Sequence, residues 1–216
     1  MVLLSTAYFA PVAYYSLLFH EPEILIEAHE NYNKQSYRNR MSIGTDQGPL
    51  SLSVNVEKGY SVKCPISEIR LSGHGDWLHQ HEIALMSNYG NTPFYDYYID
   101  DIIKIMMSED TLFAMNERLR QHICTLIGFQ PQVKFTSEYV PVGQEGVRDL
   151  RNTLHPKKDI SISVPEFVPV PYYQVVGQKY PFMPNLSILD LLFNMGPESI
   201  FILRDSINNK KKVNND

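Results

Sequence analysis

One decapeptide, residues 31–40, concentrates side chains that could bind an anionic molecule. It reads Asn-Tyr-Asn-Lys-Gln-Ser-Tyr-Arg-Asn-Arg, so it holds three cations and no acid. Arginine presents a planar fork of donors suited to carboxylate or phosphate oxygens, and tyrosine adds a face on which a sugar or a base can stack. We therefore predict that the decapeptide contacts a ligand through Tyr32, Lys34, Arg38, Asn39 and Arg40.

The same composition has a second interpretation. A strongly basic, solvated segment is also typical of a sheet edge that discourages pairing with another strand. Apolar runs lie on both sides of the decapeptide, at residues 23–28 and 50–56. Under either interpretation the decapeptide connects or edges strands of one sheet.

Three histidines fall within eight positions of the segment at residues 72–81. Its glycines permit a tight loop, and Asp76 is placed to cap a helix that begins near Trp77. On a helix His79 and His81 point in different directions, so we predict no metal site. Trp77 and His81 are four positions apart and share one face. We predict that His79 or His81 serves as a general base.

The helix predicted within residues 181–197 is apolar nearly all round, with Asp190 and Asn194 as its exceptions. A buried carboxylate needs a cation or several hydrogen-bond donors, and the decapeptide has cations. We therefore place Asp190 and Asn194 in the ligand site, with Asp190 paired to one of the two decapeptide arginines. The alternative is that Asp190 acts with Ser187 at the helix start, in a variant of the capping box.

The start of the chain is typical of a strand-helix-strand unit. Residues 2–6 form a short apolar run, Pro11 marks the start of a helix, and residues 23–28 supply the next strand. Such a unit favours a right-handed crossover between two parallel strands, and ligands commonly bind where the first strand meets the helix. Tyr8 stands at that point, so we predict it as a ligand-binding residue.

A hairpin follows. Residues 40–44 and 50–56 flank the turn-rich sequence Asp-Gln-Gly-Pro, which predicts two antiparallel strands. The predicted fold class is therefore α/β, a single domain over residues 1–204 with a mixed β-sheet flanked by helices. Residues 205–216 are polar and are predicted to form a disordered tail.

Further elements follow from periodicity and capping signals. Thr92 and Pro93 mark the start of one helix, and Ser108 marks the start of another that ends at Gly128. Two more strands are predicted at residues 66–71 and 133–140, and a short helix at residues 146–154.

Charge and composition restrict the classes of function. The 216 residues carry a net charge of −5, so we predict no nucleic-acid partner. No apolar run approaches the roughly 18 to 20 residues of a membrane span. Cys64 and Cys124 occur in unrelated contexts, which fits reduced thiols and a cytoplasmic location. The chain lacks a nucleophile elbow, a P-loop, a dinucleotide motif and paired catalytic carboxylates, and it indicates neither a cofactor nor an oligomeric state.

Five motifs occur in order along the chain. They are Tyr8-Phe9-Ala10-Pro11, residues 32–40, Trp77 with His81, Tyr172-Tyr173-Gln174 and residues 186–194. Together they resemble the WbqC-like family, in the shorter form met in Bacteroidetes-type bacteria, and the resemblance covers nearly the whole chain. The chain departs from the family at Thr6-Ala7, where Gln-Pro commonly precedes the Tyr-Phe-x-Pro motif.

The resemblance implies a role in surface-polysaccharide and O-antigen biosynthesis, because similar proteins are found among those genes. We interpret the chain as a cytoplasmic transferase that acts on a nucleotide-activated or amino sugar, with acyl or related group transfer as one suitable reaction. The alternative is a non-catalytic ligand-binding or assembly protein of the same pathway. That protein would need the cationic pocket but no proton-transfer residue, so separate substitutions of His79 and His81 distinguish the two.

Overall fold

The structure, a computed structural model, describes residues 1–57, 63–178 and 180–208. Within these ranges the strands are β1 (Val2–Ser5), β2 (Ile24–Glu27), β3 (Arg40–Thr45), β4 (Gly48–Ser53), β5 (Val133–Phe135) and β6 (Arg148–Asp149). The α-helices are α1 (Val12–His20), α2 (Trp77–Tyr89), α3 (Tyr95–Ser108), α4 (Leu112–Ile127), α5 (Ile160–Ser163), α6 (Ile188–Met195) and α7 (Ser199–Asp205). The predicted α/β class is confirmed.

A four-stranded parallel sheet has the order β5-β2-β1-β6. The predicted unit β1-α1-β2 is confirmed, with Val2 opposite Ile24 and Ser5 opposite Glu27. After α1 the chain returns as β2 along one edge of β1, whereas β6 pairs with the other edge of β1. The carboxyl ends of β1 and β6 therefore meet at a point where the strand order reverses, which is a common ligand site in such sheets.

The predicted hairpin forms as β3 and β4, joined at residues 46–47. It lies in a sheet of its own, so the parallel and antiparallel strands occupy two sheets. The strand before the hairpin, β2, pairs with β1 on one edge and with β5 on the other. Neither edge of β2 is therefore free to pair with β3. The hairpin is instead attached to the start of α6, where the Ser187 amide donates to the Ser42 carbonyl at 2.7 Å.

Three helix starts differ from their predicted positions or caps. The Thr92 amide and hydroxyl both donate to the Tyr89 carbonyl, at 2.8 and 2.6 Å, so Thr92 closes a turn after α2 and α3 begins only at Tyr95. Ser108 ends α3, and Thr111 caps α4 by accepting from the Ala114 amide at 3.3 Å. Asp76 precedes α2, as predicted, but its side chain makes no capping hydrogen bond. Gly128 ends α4 with φ of 91°, as predicted.

Two predicted elements are wrong. Residues 66–71 do not form a strand, because Ile66 and Ile69 bury their side chains on one side of a short 3-10 turn at Ile66–Glu68. Residues 146–154 do not form a helix, because their first part lies extended along the open edge of β1 as β6. The Leu150 amide then continues the pairing by donating to the Leu3 carbonyl at 2.9 Å.

The core is formed where β1, α1 and α6 meet. Leu4, Tyr15, Leu18, Leu189 and Phe193 are at most 1% exposed. In the part of the chain that the structure describes, no helix combines the length and apolar character needed to cross a membrane. Of the predicted tail, residues 205–208 are described, and Ser206 and Ile207 are buried. The rest of that prediction lies outside the described residues.

A buried charge network lies at the carboxyl ends of the parallel strands. We call Glu27, Glu30, Arg38, Asp149 and Arg151 the arginine network. Arg38 donates through Nε to Glu30 Oε1 at 2.8 Å and pairs through Nη2 with Oε2 of the same carboxylate. Arg151 donates through Nη1 to Glu27 Oε2 and through Nε to Asp149 Oδ1, both at 2.9 Å. Both guanidinium groups are therefore occupied by protein carboxylates.

We expect Arg38→Gln to lower the free energy of unfolding by about 3 to 5 kcal/mol, because it leaves the Glu30 carboxylate buried without its cation. Lys104→Gln is the matched control, since it removes a cation from the exposed Lys104 and Asp101 pair. It should leave stability nearly unchanged. Urea unfolding measures the free energy of unfolding of both variants. If Arg38→Gln loses as little stability as Lys104→Gln, the arginine network does not anchor the fold.

Candidate functional site

A cleft of about 1040 Å³ lies beside the decapeptide. The decapeptide forms one wall, residues 53–57 at the end of β4 form the second, and the loop at residues 72–75 forms the third. Its volume suits a ligand larger than a simple anion, because small-molecule pockets commonly measure about 300 to 1,000 Å³. Four predicted ligand-binding residues line it together, namely Tyr32, Lys34, Asn39 and Arg40.

The two cations of the cleft form no ion pair with another described residue. Arg40 is half-buried and donates through Nε to the Ser53 hydroxyl at 3.2 Å, and Lys34 is exposed. No carboxylate within the described ranges forms an ion pair with either cation. Both side chains can therefore give their positive charge to a ligand.

More cations stand at the rim of the cleft. Lys157 donates through Nζ to the Gln35 side chain at 3.1 Å, which attaches residues 155–158 to the decapeptide. The pKa of His155 is lowered first by burial and then by the positive charges of Arg38, Lys158, Lys157 and Arg40. These residues add positive charge beside the cleft although the whole chain is acidic.

Backbone contacts hold the decapeptide in place. The Tyr8 amide donates to the Tyr37 carbonyl at 2.8 Å, and Asn116 on α4 donates through Nδ2 to the Arg38 carbonyl at 2.8 Å. On the cleft side, Asn39 Nδ2 donates to the Val54 carbonyl at 3.2 Å. The segment therefore presents its polar side chains to the cleft from a fixed backbone.

Arg38 does not reach the cleft. Its side chain is 3% exposed and belongs to the arginine network, so the structure gives it a buried structural position. The Arg38 backbone carbonyl still helps to hold the decapeptide in place. Its guanidinium group, however, has no free edge for a ligand. A ligand role for Arg38 would require the Glu30 pair to open.

Asp190 is paired with neither arginine, so the predicted ion pair is wrong. Its carboxylate accepts hydrogen bonds from Tyr89 at 2.9 Å, from Tyr172 at 2.6 Å and from Gln174 Nε2 at 2.8 Å. Burial raises the pKa of Asp190, and these three donors act in the opposite direction. Uncharged donors thus satisfy a carboxylate for which the sequence had indicated cations.

The capping alternative is not formed either. Ser187 caps α6 by accepting from the Leu189 amide at 3.3 Å, whereas the Asp190 carboxylate faces Tyr89, Tyr172 and Gln174. Asn194 donates through Nδ2 to the Asp190 carbonyl at 2.7 Å and accepts from the Val175 amide at 3.0 Å. Asp190 and Asn194 therefore join α6 to the segment at residues 172–175, away from the cleft.

Tyr8 and His81 form a buried pair behind the cleft. The Tyr8 hydroxyl lies 2.9 Å from His81 Nδ1, and the Trp77 ring meets the His81 ring edge-on at 5.3 Å between centroids, as its predicted position on the same face requires. Burial lowers the pKa of His81 from 6.5 to about 4, and a hydrogen bond with the Ser53 backbone acts in the opposite direction. Ser53 lines the cleft, whereas Tyr8 and His81 do not.

His79 lies on the outside of α2. Its side chain is 58% exposed and its Nδ1 is 3.6 Å from Glu82. Neither His79 nor His81 is among the residues that line the cleft. A general-base role for either residue stays a prediction.

The histidine that does line the cleft is His74. The Ser72 hydroxyl accepts from the His74 amide at 3.1 Å and donates to the His74 carbonyl at 3.0 Å, so the loop holds itself in shape. Gly75 has φ of 82°, a conformation that favours glycine. The flanking glycines were a sequence signal for this loop, but helical spacing drew attention to His79 and His81 instead.

The described residues contain no group of three or more histidine, cysteine or acidic side chains arranged to hold a metal ion. The cleft combines two cations, an aromatic ring, an amide, one imidazole and the Glu57 carboxylate.

We expect Asp190→Asn and Tyr172→Phe to be energetically coupled by more than about 0.5 kcal/mol, because the two side chains share a buried hydrogen bond. Asp190→Asn and Arg38→Gln should be additive within about 0.5 kcal/mol, because their side chains share no partner. Double-mutant cycles from urea unfolding test both pairs. Coupling to Arg38 with additivity to Tyr172 would contradict the observed hydrogen bonds.

We expect the His81 environment to make the protein less stable in mild acid. Between pH 6.5 and about 4 the unfolded chain protonates this histidine whereas the folded protein keeps it neutral. The free energy of unfolding therefore decreases as the pH is lowered. A change from pH 7 to pH 5 should cost about 2 kcal/mol through this residue alone.

His81→Gln removes the contribution of this histidine. The unfolding free energy of the variant should therefore depend less steeply on pH over this range than that of the native protein. His79→Gln, the matched control at an exposed position, should keep the native slope. If His81→Gln also keeps the native slope, His81 is not held neutral by its surroundings.

Comparison with known proteins agrees with the motifs. The chain is 27% identical over 212 residues to "Uncharacterized protein Rv1507c" of Mycobacterium tuberculosis (strain ATCC 25618 / H37Rv), which covers 88% of this chain and 91% of that protein. No solved structure matches the chain. The model of the WbqC-like protein family matches residues 6–155 and 142–202, which together include the decapeptide, the loop at residues 72–75 and α6. This chain therefore belongs to the WbqC-like protein family.

Proposed function

We propose that this protein binds a nucleotide-activated or amino sugar in the cleft and acts on it as a transferase of surface-polysaccharide or O-antigen biosynthesis. The observation that carries the proposal is the pair of uncompensated cations, Lys34 and Arg40, beside Tyr32 and Asn39 in one large cleft. A phosphate or carboxylate group would bind between the cations. The ring of Tyr32 would pack against a sugar or base, and Asn39 lies beside it.

Electrostatics support an anionic ligand. The chain carries a net charge of −5, so an anion is not attracted by the protein as a whole and must be captured locally. The cations of the cleft and of residues 155–158 give that local attraction. The same net charge argues against a nucleic-acid partner, which needs an extended basic surface.

The pathway rests on family membership and the motifs. We further propose a cytoplasmic location, where activated sugars would reach the cleft. The two cysteines, Cys64 and Cys124, are unpaired, as is usual for proteins in a reducing compartment.

A second candidate function is non-catalytic ligand binding or assembly in the same pathway. One observation favours it: neither histidine predicted as the general base lines the cleft. Under this alternative the cleft binds the sugar but transfers no group. Substitution of His79 and His81, one at a time, would then leave glycan production intact.

Calorimetric titration with UDP-N-acetylglucosamine tests the proposal. We expect Arg40→Gln to weaken binding by about tenfold, since it removes a charge-assisted contact with the diphosphate. The effect should shrink as salt is added. Arg204→Gln, the matched control, removes an exposed arginine that pairs with Asp205 away from the cleft, and it should bind like the native protein.

The outcomes separate the candidates. Binding that Arg40→Gln weakens, followed by turnover when acceptor sugars are added, supports the transferase. The same binding without turnover supports the non-catalytic protein. If UDP-N-acetylglucosamine and related sugar nucleotides do not bind, or bind equally well to Arg40→Gln, the cleft is not the site we propose.

A further inference from the structure

A second cavity adjoins the cleft. Its volume is about 360 Å³, near the lower limit of small-molecule pockets. Four residues line both cavities, namely Glu57, Ser72, Gly73 and Gly75. The two spaces therefore lie next to each other, and the loop at residues 72–75 stands at their junction.

The second cavity is lined by three acidic residues and one arginine, whereas the cleft lining holds Lys34, Arg40 and the shared Glu57. Trp77, Leu78 and Met106 give it an apolar wall, and Glu57 and Asp110 add carboxylates. Neither carboxylate is ion-paired with another described residue. Glu109 and Arg70 also line the cavity, but Glu109 is already bound by Arg118.

We propose that this second cavity is an acceptor subsite for a sugar that carries a free amine or hydroxyl, with His74 as the catalytic proton acceptor at the junction. The inference rests on the proposed function and adds the class of the second substrate. An apolar wall suits the face of a sugar ring, and carboxylates accept hydrogen bonds from hydroxyl or ammonium groups. Asp110, which lines the second cavity but not the cleft, would repel a second anion there, so the activated donor is favoured in the cleft beside Lys34 and Arg40.

The position of His74 connects the two compartments. Its neighbours Gly73 and Gly75 line both cavities, whereas His74 lines the cleft. An acceptor in the smaller cavity and a donor in the cleft would therefore meet next to its imidazole. Within the described chain, no other histidine lines either compartment.

The step that follows is a group transfer. The acceptor amine or hydroxyl forms a bond to the electrophilic carbon of the donor, and the bond from that carbon to the leaving oxygen breaks with its electron pair. The leaving group carries the negative charge, which Lys34 and Arg40 stabilise. The proton of the acceptor passes to the His74 imidazole.

Histidine side-chain NMR tests the acceptor subsite without requiring turnover. The native full-length protein is first saturated with UDP, and D-glucosamine is then added. We expect the His74 resonances to shift and those of the exposed His79 to stay unchanged, with assignments made from His74→Asn and His79→Asn. D-glucuronate, a sugar with a carboxylate in place of the amine, should produce no shift at His74.

Charge variants give the matched comparison. Asp110→Asn should weaken glucosamine binding by about tenfold, because it removes a charged hydrogen-bond acceptor from the subsite. UDP binding should be unaffected. Asp100→Asn, which changes an exposed carboxylate on α3 that lines neither cavity, should bind both probes like the native protein.

The results distinguish the two proposals. If UDP binds and glucosamine leaves His74 unchanged, or if glucuronate acts like glucosamine, the acceptor subsite is wrong while the proposed cleft stands. If UDP does not bind at all, the proposed function fails and the subsite fails with it. Where acceptor-dependent turnover is found, His74→Asn should lower kcat about a hundredfold with little change in donor affinity, and equal activity would exclude His74 as the proton acceptor.

Discussion

The pairing of Arg38 with Glu30 is the interaction on which the site depends. Breaking such a pair leaves a buried charge without compensation, so the pair holds the decapeptide firmly against the carboxyl ends of the parallel strands. Arg151 extends the same network to Glu27 at the end of β2. Because this part of the decapeptide cannot swing outwards, its neighbours Asn39 and Arg40 have a fixed position in the cleft.

Two arginines only two positions apart therefore have different roles. Arg38 is buried and fully matched by protein acceptors, whereas Arg40 is half-buried and has no carboxylate partner among the described residues. The network thus removes one cation from ligand binding and positions the other. The buried Asp190 carboxylate is also satisfied, in its case by the uncharged donors Tyr89, Tyr172 and Gln174.

Much of the architecture could be predicted because it depends on local signals. The apolar run before Pro11 and the turn at residues 46–47 specify the strand-helix-strand unit and the hairpin. Two of the differences arise from pairing with distant partners. Arg148 and Asp149 form a strand because β1 offers them an open edge, and β3 does not pair with β2 because β5 already covers that edge.

For the site, the segment that carries the positive charge is evident from the sequence alone, since a decapeptide with three cations and no acid stands out in an acidic chain. Which of those cations faces a ligand depends on folding, because Glu30 reaches Arg38 only in the folded protein. The tertiary structure also decided that His74 lines the cleft and that His81 is buried. Spacing along a helix shows which residues share a face, but only the packing of α2 against α3, α6 and Tyr8 determines that the His81 face meets the core.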